Sequence, residues 1–314
     1  MPFDFATVTS PFRMQPGLRR IAPGTQQLTP NHRGSRALRE KLAVLTSHPE
    51  QALVADPTFD PAPALHALCA QAADEHPEAF GSSHGAWHAR ALGWSLHGDE
   101  LRGEGAAEIG TCLRALPQRW RLAGLLSLAF EQDFAMLDAA SDRIPWLAVC
   151  LPSHWAPEEK VGHLFAEVHA PVADNATLLA ASEALARLVT GPERWERFVW
   201  TISANPHLHQ HPLRSPRNTW SADATPDELA AQAFFRTEHQ TFIPLPERRQ
   251  AVFTIHVESR PLSAATSSAA HVRQLHDALA SMSQAVLDYR GLADSQSRLL
   301  VWLAERAQVL EGGE

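Results

Sequence analysis

The sequence lacks the glycine patterns that cradle phosphates. Neither GxGxxG nor a P-loop occurs, which argues against a nucleotide-binding core. There is no GxSxG elbow, and none of the cysteines carries the flanking signature of a nucleophile. Cysteine itself is scarce. Cys69, Cys112 and Cys150 are far apart and odd in number, so a disulfide framework is excluded and buried thiols of a reducing cytosol are expected. No apolar run approaches the roughly 20 residues of a membrane-spanning helix. The N-terminus, MPFDFATVTSPFRMQPGLRR, has no basic start followed by an apolar core, so it is not expected to be a secretory signal. A cytoplasmic location is therefore expected. A surplus of positive charge is also missing: 35 acids face 27 bases, a net charge of −8. That balance argues against a nucleic-acid surface.

What is present is enough chain, 314 residues, to bury a sizeable core. Residues 1–34 read as an extended arm in which proline, glycine and threonine recur. A helical region is expected over 35–127, in RALREKLAVLT (36–46), PALHALCAQAA (63–73), HGAWHARALGWSL (84–96) and CLRALPQRWRLAGLLSLA (112–129), the last broken at Pro117. Strand signals follow in PWLAVCLPS (145–153), FVWTISA (198–204), FFRTEHQTFI (234–243) and AVFTIHVES (251–259), with PLPERRQ as a hairpin connection between the last two. DNATLLAASEALARLVTG (174–191) reads as one helix, capped by Asp174 or Asn175, with Leu178, Ala181, Ser182, Leu185, Leu188 and Val189 inward. The stretch 263–314 is helical again. Val272, Leu275, Leu279, Met282 and Val286 stripe one helix, and Leu299, Trp302 and Leu303 another. Helices, then a small largely antiparallel sheet, then helices define an α+β class.

Between Cys150 and Val172 the chain reads CLPSHWAPEEKVGHLFAEVHAPV. Val161, Leu164, Phe165 and Val168 recur at helical spacing, and His169 joins that apolar face. His163 falls with Lys160 and Glu167 on the polar face, and Pro171 ends the helix. An imidazole on an apolar stripe can ligate something apolar and buried.

Alternation along 234–243 puts Arg236, Glu238 and Gln240 on one face, bracketed by Phe234 and Phe242. A guanidinium, a carboxylate and an amide between aromatics suit a polar patch inside a pocket; an exposed Arg–Glu pair is the plainer alternative. His256, on the next strand, either lines the same pocket or is a half-exposed strand residue. Glu131 and Asp133 are acids in an apolar run and need partners. His207, His209 and His211 (HLHQH) alternate like a metal tripod but lack a fourth ligand nearby.

The order EQDFAML, LAVCLPSHWAPEEKVGHLFAEVHAPV, VWTIS and FFRTEHQTFIPLPERRQAVFTIHVESRPL resembles the family of the haem-dependent oxidative N-demethylase alpha subunit. The resemblance rests on C-x-P-S-x-W, K-x-G…V-H-x-P-V, R-x-E-x-Q-T and F-T-I taken as a set, and covers about residues 128–262. It implies a PAS-like haem-binding core over 128–262 with one haem b. His169 matches the family histidine as axial ligand of the iron. Phe165 and His256 join it as candidate haem contacts. Arg236, Glu238 and Gln240 become propionate partner, distal acid and amide; Glu238 and Arg236 are the catalytic candidates. It further implies a small methylated amine and dioxygen as substrates, formaldehyde as product, and electrons from a flavin/iron–sulfur reductase partner. The alternative is a non-catalytic haem-binding sensor or carrier of PAS-like fold, with His163 or His256 as a second iron ligand. A zinc protein built on HLHQH is a third reading.

Overall fold

The computed structural model describes residues 3–215 and 219–312. Its strands are β1 (Arg19–Arg20), β2 (Leu53–Ala55), β3 (Phe80–Ser83), β4 (Ala86–Ala89), β5 (Trp94–His97), β6 (Glu100–Gly103), β7 (Asp133–Asp138), β8 (Arg143–Ala148), β9 (Trp195–Ser203), β10 (Phe234–Leu245) and β11 (Gln250–Pro261). Seven form one sheet in the order β1-β9-β10-β11-β7-β8-β2, with all its pairings antiparallel. The four strands β3–β6 form a separate antiparallel meander. The class is α+β with antiparallel sheets and flanking helices, as the order of elements implies.

The register of β9, β10 and β11 decides what the large sheet presents. Glu238 stands opposite Val199 and Val257, Gln240 opposite Arg197 and Ile255, and Phe242 opposite Trp195 and Phe253. Directly opposed residues share a face, so these side chains form one surface. Thr237, His239, Thr241, Thr254 and His256 lie on the other. That other face carries the main helical layers. Helices Arg36–Ser47, Ala62–Glu75 and Arg121–Ala129 pack Leu45, Leu68 and Leu126 into a core with Phe134, Met136 and Val252. Helices Ala269–Ala280 and Gln296–Gly312 pack Leu275, Leu279 and Leu303 against Trp200, Ile202 and Phe235. The site-bearing face is instead covered by the segment between β8 and β9, with Phe165, Ala186 and Val189 against Phe242 and Phe253.

Several expected elements differ. HGAWHARALGWSL is not a helix but β4, a short 3-10 turn and β5. The cause is the turn before it. His84 and Gly85 both take positive φ, 49° and 75°, and close a two-residue connection between Ser83 and Ala86. That geometry matches the twist of a hairpin. The helix carrying His169 is shorter than its apolar spacing predicts and runs only Phe165–His169. Gly162, at φ +76°, interrupts the run, and the Glu167 carboxylate accepts from the backbone N–H of Leu164 to start the helix afresh. The segment 174–191 is two short helices, Ala176–Ala180 and Ser182–Val189. The break at Ala181 turns Ala186 inward and leaves Leu188 exposed. The stripe from Val272 to Val286 likewise spans two helices, Ala269–Ala280 and Gln284–Arg290, with Met282 in the turn between them, although all five residues are buried.

Candidate functional site

Arg236 is the most completely engaged polar side chain on the site-bearing face, at 2 % exposure. Its Nε donates to Ser153 Oγ (2.9 Å). One terminal nitrogen donates to the His207 carbonyl (3.0 Å). The other meets the carbonyls of Leu208 (2.9 Å) and Leu151 (3.3 Å). Every nitrogen is thus engaged by protein acceptors, as burial of a charge requires. Burial still pushes the guanidinium down to about 10, with Glu238 opposing the shift. Arg236, the expected propionate partner, thus clamps the loop after β8 to the loop carrying HLHQH.

The clamp continues to the carboxylate. Ser153 Oγ donates to Glu238 Oε1, and Gln240 Nε2 donates to Glu238 Oε2 (2.5 Å). Glu238 and Gln240 are half-buried. Both oxygens of Glu238 therefore accept, which suits a charged carboxylate.

His169 lies in the short helix above this face. Its Nδ1 sits 2.7 Å from the Phe165 carbonyl oxygen, four residues back. A carbonyl can only accept, so Nδ1 carries the hydrogen and Nε2 keeps its lone pair. The Phe165 ring lies against the imidazole, centroids 4.3 Å apart. Burial lowers the His169 pKa, the Phe165 carbonyl opposes this, and Arg197 and Lys160 lower it further. The ring is thus held neutral, the form a metal takes.

Arg197 and Trp195 are the residues that sequence reasoning missed. The strand begins at Trp195, three residues before the expected start at Phe198, so WERFVWTIS alternates Trp195, Arg197 and Val199 onto the site-bearing face. Arg197 acts electrostatically on both His169 and Glu238. Its own pKa is lowered by burial and partly restored by Glu238. Its Nε and the indole Nε1 of Trp195 are buried donors without an acceptor among the described residues. Buried unpaired donors are uncommon and call for a partner. Ser153 was within a quoted motif, yet only the fold shows what it touches.

His256 does not share the face of Glu238. It pairs in register with His239, on the opposite face from Glu238, and its Nε2 lies 2.8 Å from Glu131. The HLHQH histidines diverge: His207 is exposed, His209 Nδ1 donates to the Cys150 carbonyl (2.7 Å), and His211 faces Glu158 (3.0 Å). Among the described residues no group of three or more histidine, cysteine, aspartate or glutamate side chains is placed to hold a metal. The two acids in the apolar run have structural partners. Glu131 meets His256, and Asp133 meets buried Lys41 at 3.0 Å while accepting from Leu151 N–H at 2.6 Å. His163 is exposed beside Glu167, as the polar-face reading expects. No described helix is long and apolar enough to cross a membrane.

The chain is thus an α+β protein whose large antiparallel sheet carries the main helical layers on one face and, on the other, Arg236, Glu238, Gln240 and Arg197 beside an apolar cluster under the β8–β9 segment. It belongs to the haem-dependent oxidative N-demethylase alpha subunit-like family, whose model matches residues 33–300. A search of the curated proteins finds no match.

Proposed function

We propose that this chain is a haem b protein of PAS-like fold, the oxygenase subunit of an oxidative N-demethylase. The observation that carries the reading is the His169–Phe165 hydrogen bond, which leaves the Nε2 lone pair of a neutral imidazole for a ligand. The residues fit the group. His169 would hold the iron, as a proximal histidine does. Phe165 would lie beside the macrocycle. The orphaned N–H groups of Arg197 and Trp195 offer donors to acidic substituents of the cofactor. The family description itself specifies haem dependence.

When bound, the haem supplies the oxygen chemistry that oxidises an N-methyl group and releases formaldehyde, with electrons from a flavin/iron–sulfur reductase. The protein's own residues do the rest. Glu238, accepting on both oxygens, attracts and orients an ammonium group. Gln240 holds that carboxylate from within the same strand. Phe165, Phe242 and Phe253 make the apolar wall that excludes water. The substrate class that matches a carboxylate beside an apolar wall is a small methylated amine.

His256 lies on the far sheet face and His163 at the surface. A six-coordinate sensor using either one draws no support from their positions. The test is the absorption spectrum of the ferric and dithionite-reduced protein, followed by formaldehyde release from dimethylamine with a reductase. A Soret band with a five-coordinate reduced form and formaldehyde release are expected. A protein reconstituted with haem that shows no Soret band would overturn the reading.

A further inference from the structure

Resting on the amine-oxidising reading above, we propose that Ser153 is a positioning residue for Glu238. Arg236 holds it as an obligatory donor, so that the carboxylate keeps its aim toward a cationic substrate. The argument is one of hydrogen-bond polarity. A serine hydroxyl has one hydrogen and two lone pairs, and in water it rotates freely among partners. Here it cannot. Arg236 Nε lies 2.9 Å from Ser153 Oγ, and a guanidinium can only donate. One lone pair is therefore taken, and the hydroxyl hydrogen goes to Glu238 Oε1.

The backbone around Ser153 is fixed by the same arginine. Its terminal nitrogens hold the carbonyls of Leu151, His207 and Leu208. Ser153 itself bridges Gln210 as a parallel pair, with Gln210 N–H to the Pro152 carbonyl (3.0 Å) and His154 N–H to the Gln210 carbonyl (2.9 Å). Both loops thus meet at the serine. Gln240 fills the other carboxylate oxygen. With a donor on each oxygen, Glu238 is held in one orientation, and its remaining lone pairs are left for the ammonium N–H groups. The arrangement selects a cation over a neutral molecule of the same shape, because a neutral isostere brings no donor to those lone pairs.

The test is calorimetric binding of dimethylammonium and of dimethyl ether, its neutral isostere, to the haem-loaded protein. In Ser153→Ala the affinity for dimethylammonium is expected to fall about tenfold or more, the loss of a charge-assisted hydrogen bond. Affinity for dimethyl ether and the Soret band stay unchanged, and Ser153→Thr restores the preference. Glu238→Gln removes the preference, and adding Ser153→Ala to it costs nothing further, since the two act through one carboxylate. A Ser153→Ala protein that keeps the wild-type preference, while Glu238→Gln loses it, would overturn the positioning role and leave the amine reading standing. Wild-type protein that takes both molecules alike, or neither, would overturn both.

Discussion

The imidazole of His169 and the carbonyl of Phe165 are joined by a 2.7 Å hydrogen bond within a single short helix. The bond fixes which ring nitrogen is free, and it comes from backbone, so no side-chain substitution at Phe165 removes it. His169→Gly is expected to lose haem retention, read as loss of the Soret band after gel filtration. Added imidazole should restore the band, because the cavity left by the side chain accepts the free ligand. Haem retained unchanged by His169→Gly would show that the iron is held elsewhere. Phe165→Ala keeps the hydrogen bond but removes the ring against the imidazole, so it should weaken haem retention without abolishing it.

Arg236→Met tests the clamp. The side chains are of comparable length, but the variant leaves the carbonyls of Leu151 and Leu208 without their buried donor, while His207 keeps the Gln210 amide. Each orphaned acceptor costs about 1–3 kcal/mol, so a loss of about 2 kcal/mol or more is expected in urea unfolding of the cofactor-free protein. A change below about 1 kcal/mol, the range of ordinary surface substitutions, would contradict the buried network.

Acid should destabilise the cofactor-free chain before the carboxylates titrate. His169, His209 and His239 all have lowered pKa values, and burial is the largest cause in each. In the unfolded chain each returns to about 6.5. The unfolded state then binds more protons as pH falls below that value, so stability is full above about pH 6.5 and declines beneath it. The decline ends at the folded values. Urea midpoints between pH 7.5 and 5 should fall, and His209→Gln should flatten part of the slope. Midpoints that rise on acidification would reverse the assigned signs.

The β10 face was legible because strand alternation is a period-2 property of the residues themselves. Arg236, Glu238 and Gln240 do share a face, and the hairpin to β11 follows from PLPERRQ. His163 and His169 were separable for a similar reason, although the helix that separates them is shorter than its apolar spacing suggests. What a single strand cannot show is register with its neighbours. His256 sits one residue out of phase with Glu238, and only the pairing of β10 with β11 reveals that. Arg197 was hidden by a strand start placed three residues late. The partners of Arg236 come from carbonyls of two distant loops, and backbone acceptors leave no mark in side-chain sequence.

Gly85 and Gly162 report their backbone conformation directly, because a helix and a left-handed turn predict opposite signs for alanine there. If residues 84–96 and 161–169 were helices, Gly85→Ala and Gly162→Ala would each gain up to about 1 kcal/mol from better helix propensity. In the structure both glycines sit at positive φ, +75° and +76°, with open space where a Cβ would be. Nothing is crowded, so the whole effect is backbone strain, a loss of about 1–2 kcal/mol at each site. Urea unfolding of the two variants reads the sign directly. A loss at Gly85 supports the β3–β4 turn. A loss at Gly162 supports a helix that starts only after it, and so supports the placement of His169 one short turn above the sheet. Replacing Gly162 with asparagine, which tolerates the left-handed region, should recover part of the loss. A helix over 161–169 would not show that recovery, since asparagine is a poorer helix former than alanine.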